Sequence, residues 1–359
     1  NKKSVCENKS SHIFINCKRV LLIMKRWFGI IFSILVIGFL IWFVKDVDFY
    51  ELYLLLQYVQ PFWFGLAVLS TFLTFIVWNI RWTFIVRPYL KGSFWFFLKV
   101  MFASAFFSTV TPGAGLSGEP LRAYFIAKKY KRPHAKVLGY VLGDSFFRLS
   151  ALVIYTIFSV FFVLIYIKIS GGLRLFLYII LASLLLASSW IIYLIFKKGN
   201  FKLGNLLRRF YYFKFVRKRF KEQGLFEEYI NARMKSFTQI FRLVVKKKRN
   251  ILVGLPLSFI FWGLNYLSAY FMFLSFGKEV NFLLIIIVFT LANIVGSFSP
   301  IPGGIGVSEG LMTFLYSAMG INFALALVVS LLQKMSYYFF SLFVGGWYIV
   351  RLRKTLDNG

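Results

Sequence analysis

The sequence predicts an all-α polytopic membrane protein, with about six full transmembrane helices and two re-entrant helical hairpins in an inverted-topology repeat. Three observations lead there. The chain is 59% hydrophobic and holds 46 phenylalanines in 359 residues, more apolar surface than a soluble domain of that length buries. Its apolar residues fall in long runs, at 27–44, 62–78, 149–167, 175–196 and 251–276. Each run is close to the roughly 20 residues that cross about 30 Å of hydrocarbon as helix. A short signature, P-G-x5-E-x-L, occurs twice, at 112–121 and at 302–311, 190 residues apart. The short alternating segments of a transmembrane β-barrel are absent.

The elements follow in chain order. Residues 1–23, "NKKSVCENKSSHIFINCKRVLLI", read as an unstructured extension, and Met24-Lys25-Arg26 reads as a translation start. The apolar run after it is long and lacks a small-residue cleavage site, so it is expected to be a retained helix. Lys18, Arg19, Lys25 and Arg26 place the N-terminus in the cytoplasm by the positive-inside rule. The acidic stretch "KDVDFYELY" is then external, and the span 62–86 returns toward Arg87 and Lys91. Spans 136–167 and 172–196 cross out and back. The basic linker 197–250 is expected on the cytoplasmic surface, partly as amphipathic helix. Span 251–276 leads out, 322–350 leads back to "RLRK", and 351–359 forms a cytoplasmic tail. The protein is thus expected in a cell membrane with both termini inside. One membrane domain, 24–350, contains the repeat halves 62–167 and 251–350.

Two segments do not fit a simple crossing. Residues 93–130 and 281–320 each hold a long apolar arm, a Pro/Gly break and a second arm too short to span alone. Each pair fits a hairpin. Lys128, Lys129, Lys131 and Arg132 at the exit of the first make it dip in from the cytoplasm. The second has no Lys or Arg between 281 and 320 and dips in from outside. Opposite orientations of matching halves define an inverted repeat. The hairpin breaks are carried by Pro112 and Gly113 in the first half and by Pro300, Pro302, Gly303, Gly304 and Gly306 in the second. Broken backbone is tolerated at membrane depth only where it is buried in protein or lines a watered cavity. Ser117-Gly118 and Ser308 stand where a helix N-cap belongs, and Glu119 and Glu309 fall in the following first turn. Each glutamate either caps its own hairpin or faces a polar cavity.

Composition also excludes functions. The net charge of +31 would suggest nucleic acid in a soluble protein. Here the basic residues sit in loops, so topology and anionic lipid headgroups account for them, and no nucleic-acid partner is expected. The only cysteines, Cys6 and Cys17, precede the first span, and the only histidines are His12 and His134. Neither pair supports a metal site, and no cofactor is expected.

"PGAGLSGEPLRAYFIAK" and "FSPIPGGIGVSEGLMTFL" resemble the paired signatures of the lysylphosphatidylglycerol synthase transmembrane, or flippase-like, family. That family includes the membrane half of the multiple peptide resistance factor of bacteria. The resemblance covers essentially the whole chain from Met24. It implies a domain that moves lipids between leaflets. In synthases the domain is fused to a soluble aminoacyl-transferase domain. This chain ends at Gly359, just after the last span, so lysyl transfer is not expected of it. The resemblance points to Pro112, Gly113, Glu119 and Arg122 in the first signature, and to Pro300, Pro302, Gly303, Gly304, Gly306, Glu309 and Gly310 in the second. It also implies charge on the helix after each hairpin, here Asp144 and Arg148, then Lys334 where arginine would be usual.

The candidate substrate-binding residues are therefore Glu119, Arg122, Asp144, Arg148, Glu309 and Lys334. Asp144 and Arg148 are four apart on one helical face and are expected to turn inward together. Arg122, one turn beyond Glu119, can pair with it or offer a cation to a lipid phosphate. Arg81 and Lys99 are expected to snorkel toward the cytoplasmic interface. A lipid transporter is the leading reading, with an anionic phospholipid, glycolipid or polyprenyl-phosphate-linked lipid passing along Arg122, Arg148 and Lys334. A scaffold for a lipid synthase or glycosyltransferase, held through the basic 197–250 region, is the main alternative. A membrane enzyme is the third reading, and it lacks a reacting constellation, since no histidine lies in the spans.

Overall fold

The computed structural model describes residues 54, 56–111, 117–166, 223–299 and 301–357, together with Tyr50 and scattered positions between 171 and 193. The expected extension 1–23, the span 27–44, most of the span 172–196 and the linker residues 197–222 lie outside the described residues. So do Pro112, Gly113 and Pro300. The helices below all belong to one compact unit, Leu54–Gly359.

The described helices, in order, are α1 (Pro61–Val86), α2 (Phe94–Val110), α3 (Gly118–Lys129), α4 (His134–Tyr166), α5 (Gln223–Lys246), α6 (Lys248–Ser275), α7 (Phe282–Phe298), α8 (Val307–Ala318), α9 (Phe323–Tyr338) and α10 (Gly345–Asp357). A 3-10 turn, Pro302–Gly304, precedes α8, and a π-helical turn, Phe339–Val344, joins α9 to α10. Among the described residues, four helices are long and apolar enough to cross a membrane: Pro61–Val86, His134–Ile165, Lys248–Ser275 and Phe323–Lys354. They match the expected spans 62–86, 136–167, 251–276 and 322–350. Between them lie two broken pairs with the same lengths, 17 then 12 residues in each half.

Local chemistry sets the helix ends. Pro61 opens α1, where its missing N–H costs nothing and its fixed φ suits a helix start. Asn281 and Asn322 cap α7 and α9, each accepting a backbone N–H through Oδ1, from Leu283 at 2.9 Å and Leu325 at 3.0 Å. Lys128 and Lys129 close α3, beside the negative end of its dipole.

Polarity is distributed as hydrocarbon requires rather than as water requires. Phe158, Phe161 and Ile165 on α4 and Leu252 and Ile260 on α6 are exposed. Arg81, Asn79, Arg122, Asp144 and Asn250 are fully buried. A soluble fold would reverse this, because charge is expensive to bury and large apolar faces are expensive to wet. In a bilayer the apolar faces meet lipid, and the charges must find each other inside.

α1 and α6 form the centre and run antiparallel. Gln60 N–H donates to Ser275 O at 2.7 Å at one end. Thr71 and Ser268 hydroxyls meet at 2.9 Å, and Arg81 donates to Ser258 Oγ at 3.0 Å further along. Small residues at Ala67, Ser258 and Ser268 let the two backbones approach. The remaining packing follows one pattern in both halves. α2 packs on α3, and α7 on α8; α3 packs on α4, and α8 on α9. Each first arm also crosses to the other half, α2 onto the π turn and α10, and α7 onto α4. Behind α4, Gly139 and Gly143 receive Ile240 and Val244 of α5, a small-xxx-small contact. The expected amphipathic stretch of the linker is therefore partly α5, packed along α4.

Candidate functional site

The second break shows how the chain turns between α7 and α8. Gly303, Gly304 and Gly306 take φ of 64°, 66° and 83°, the left-handed region that disfavours side chains. A Cβ on Gly304 would lie 2.6 Å from the carbonyl oxygen of Gly296, and one on Gly303 would lie 2.9 Å from that of Thr109. The second break is thus seated on the end of α2, the first arm of the other half. Glu309, in the first turn of α8, reaches back with Oε2 to accept from Gly306 N–H and from Ser308 Oγ, each at 2.9 Å. That is the carboxylate half of a capping box. Its other oxygen, Oε1, accepts from the Tyr338 hydroxyl at 2.8 Å.

The first half solves the same problem with charge. Glu119 Oε1 accepts from Ser145 Oγ at 2.6 Å and from Arg148 Nη2 at 3.0 Å. Its Oε2 lies 3.4 Å from Arg122 Nη1. Arg122 Nη2 donates to Asp144 Oδ2 at 3.0 Å, and Asp144 Oδ1 accepts from Arg81 Nε at 2.8 Å. Three guanidinium groups therefore meet two carboxylates, and the cluster carries one excess positive charge. Arg81, Arg122 and Asp144 have no exposed side-chain surface, while Arg148 keeps 13%. The excess charge therefore has its outlet at Arg148.

That outlet is a cavity of about 190 Å³ between the halves. Thr109 and Thr111, at the end of α2, line one side, and Ser299, Ile301, Gly303 and Gly304 of the second break line another. Among the described residues its charged lining is Arg148 and Lys334, and no carboxylate lines it. Lys334 Nζ donates to Asn293 Oδ1 at 3.2 Å. Arg148 stacks 4.9 Å from the ring centre of Trp78. Its backbone carbonyl accepts from Trp262 Nε1 at 3.1 Å, which ties α6 to this turn of α4.

Comparison with known proteins places the chain among membrane proteins. The profile of the lysylphosphatidylglycerol synthase TM region matches residues 27–345. The chain belongs to that family. Among curated relatives it is similar to a UPF0104 membrane protein of Pyrococcus horikoshii, 28% identical over 81% of this chain and 87% of the relative. A UPF0104 membrane protein of Methanothermobacter thermautotrophicus is 23% identical over 78% of this chain and 82% of its own length. One of Methanocaldococcus jannaschii is 22% identical over 83% and 87%. None of these names carries an enzymatic activity.

In this lysylphosphatidylglycerol synthase TM region protein, the sequence-predicted residues separate into two groups. Arg148 and Lys334 come together at the cavity. Glu119, Asp144 and Glu309 lie behind its wall as partners of other side chains. Arg122 departs from the expected headgroup path. Its terminal nitrogens are taken by Glu119 and Asp144, its plane covers Trp82 at 3.9 Å, and it does not line the cavity. Arg81 does not snorkel; it is buried against Asp144, because a paired cation at depth is cheaper than an unpaired one. Asp144 and Arg148 do not pair with each other, since separate partners draw them apart. Ser308 falls inside the first turn of α8, and Gly306 takes the N-cap position. Ser117 makes no cap bond, and Ser108 of α2 accepts from Gly118 N–H at 3.0 Å instead.

Sequence reasoning missed Tyr338, Gln333, Asn293 and Trp78. One signal was available for the first. The 190-residue offset that aligns Glu119 with Glu309 also aligns Arg148 with Tyr338.

Proposed function

We propose that this protein moves an anionic lipid between the leaflets of a cell membrane. The headgroup passes through the central cavity while the acyl chains stay in the bilayer. One observation carries the reading: among the described residues, the cavity between the two broken helix pairs is lined by Arg148 and Lys334 and by no carboxylate. Two cations at membrane depth are retained only at a cost, and an anion that visits them offsets it. The broken pairs are read as hairpins re-entering from opposite faces, with both chain ends in the cytoplasm. The antiparallel packing of α1 on α6 and the matching contacts in the two halves support that inverted repeat. No P-loop motif occurs in the sequence, so exchange is expected to run without ATP hydrolysis. The protein then acts as a transporter rather than an enzyme. A cytoplasmic lipid synthase or glycosyltransferase that supplies the lipid is the partner class that fits.

The test is reconstitution. Vesicles holding the protein and a fluorescent phosphatidylglycerol are treated with a membrane-impermeant quencher. Exchange exposes the inner-leaflet probe and quenching runs past one half. Quenching that stops at the level of protein-free vesicles removes the transport reading.

A further inference from the structure

The two cations line the cavity on different terms. Arg148 belongs to the ion cluster and bonds Glu119 at 3.0 Å. Lys334 forms no ion pair among the described residues. The hairpin carboxylate of its own half, Glu309, is occupied by three neutral donors: Gly306 N–H, Ser308 Oγ and the Tyr338 hydroxyl. The ammonium turns instead to Asn293 Oδ1 on α7, at 3.2 Å. Asn293 is oriented for that contact. Its Nδ2 donates to Phe289 O, one turn back on the same helix, at 2.8 Å, so its oxygen is the end left for Lys334. Asn293 and Lys334 both line the cavity, and both keep part of their surface exposed.

Resting on the headgroup reading above, we infer that Asn293 is a positioning residue for Lys334. It fixes the ammonium in the cavity wall and leaves its charge unspent. An amide oxygen and a carboxylate oxygen have nearly the same shape, and either accepts from an ammonium. They differ in charge. A carboxylate at position 293 would pair with Lys334 and cancel the cation that draws an anion. An apolar side chain there would leave the ammonium without its acceptor and its flexible four-carbon stem free to take other rotamers. The amide does neither. Lys334 spends one of its three N–H groups on Asn293, and the other two bond nothing among the described residues. Asn293 lies on the first arm of the second pair and Lys334 on the span after it, so the bond sets the cation against the break.

The test is equilibrium binding of short-chain phosphatidylglycerol to the full chain in detergent. Phosphatidylcholine with the same acyl chains is the control, and thermal unfolding is followed on the same samples. Asn293→Asp should unfold at no lower temperature than the unmodified protein, because Lys334 keeps an acceptor, yet lose about tenfold in phosphatidylglycerol affinity. Asn293→Ala should lose about threefold, and should lose nothing further in a Lys334→Met background, since the residue acts through the ammonium. A residue that only ties α7 to α9 would leave lipid affinity intact in Asn293→Asp, and that result overturns the inference. An equal loss from Asn293→Ala with and without Lys334 overturns it too, and this pair decides by itself if Asn293→Asp does not fold. An unmodified protein that does not prefer phosphatidylglycerol over phosphatidylcholine removes the headgroup reading and this inference with it. A preference that depends on Asn293 without leaflet exchange supports the positioning role and removes only the transport reading.

Discussion

Tyr338 donates to Glu309 at 2.8 Å across the same 29-residue separation that sets Arg148 on Glu119 at 3.0 Å. The two bonds occupy equivalent places in the two halves. One half answers its hairpin glutamate with a neutral hydroxyl, the other with a guanidinium. This asymmetry concentrates the buried ion pairs in the first half. In the second, Glu309 is held by Tyr338, Ser308 and a backbone N–H.

Tyr338→Phe tests the neutral half. It removes one donor from Glu309 and leaves the other two in place. Hydrogen bonds to charged groups contribute about 1.5–3 kcal/mol, so the variant should unfold at lower temperature yet remain folded at 25 °C. Thermal unfolding in detergent measures it. An unchanged midpoint would mean that the bond contributes nothing.

Asp144 is shared by two arginines, so its removal should cost more than the removal of one. Asp144→Asn leaves Arg81 and Arg122 with Glu119 as the cluster's remaining carboxylate. Arg81→Met leaves Asp144 paired with Arg122. Breaking a buried pair costs about 3–5 kcal/mol. Folded yield should therefore fall in the order unmodified, Arg81→Met, Asp144→Asn, and the reverse order of the two variants would contradict the shared geometry.

These contacts mark what could be read from the chain alone. The breaks were legible because Pro302, Gly303, Gly304 and Gly306 can do little else in an apolar run, and the capping reach of Glu309 follows from its place in the first turn. The four described spans were legible from length and hydropathy. Arg81 was not. A cation near the end of a span can snorkel or pair, and its partner Asp144 lies 63 residues away. Spacing also misled for Asp144 and Arg148. A shared helical face brings two side chains near each other, but their partners on α1 and α3 decide where they point. The π turn at Phe339–Val344 has no local signal in "FFSLFV". It is set where Thr109 of α2 donates to Ser341 Oγ at 3.1 Å and Gly345 packs on the Phe102 carbonyl.

Two glycines separate strain from crowding. Gly304 and Gly320 both have positive φ, but a Cβ on Gly320 meets open space, whereas one on Gly304 meets the Gly296 carbonyl at 2.6 Å. Gly320→Ala should cost about 1 kcal/mol from backbone conformation alone. Gly304→Ala should cost clearly more and disturb the cavity wall. Equal unfolding midpoints would place the second break elsewhere than against α7.

The proposed inverted repeat predicts opposite access to the two breaks. In a background free of Cys6 and Cys17, a cysteine replacing Ser117 should react with an impermeant reagent from the cytoplasm, and one replacing Ile305 from outside. Reaction of both from one face would end the inverted arrangement.

The most direct measurement asks whether lipid passes through the cavity itself. Ser297 lines it and lies on α7, outside the ion cluster. In the cysteine-free background, Ser297→Cys is reconstituted, modified with a bulky thiol reagent that forms a disulfide, and then reduced. Leaflet exchange of phosphatidylglycerol should fall to the rate of protein-free vesicles on modification and return on reduction. Full modification with undiminished exchange would contradict the path.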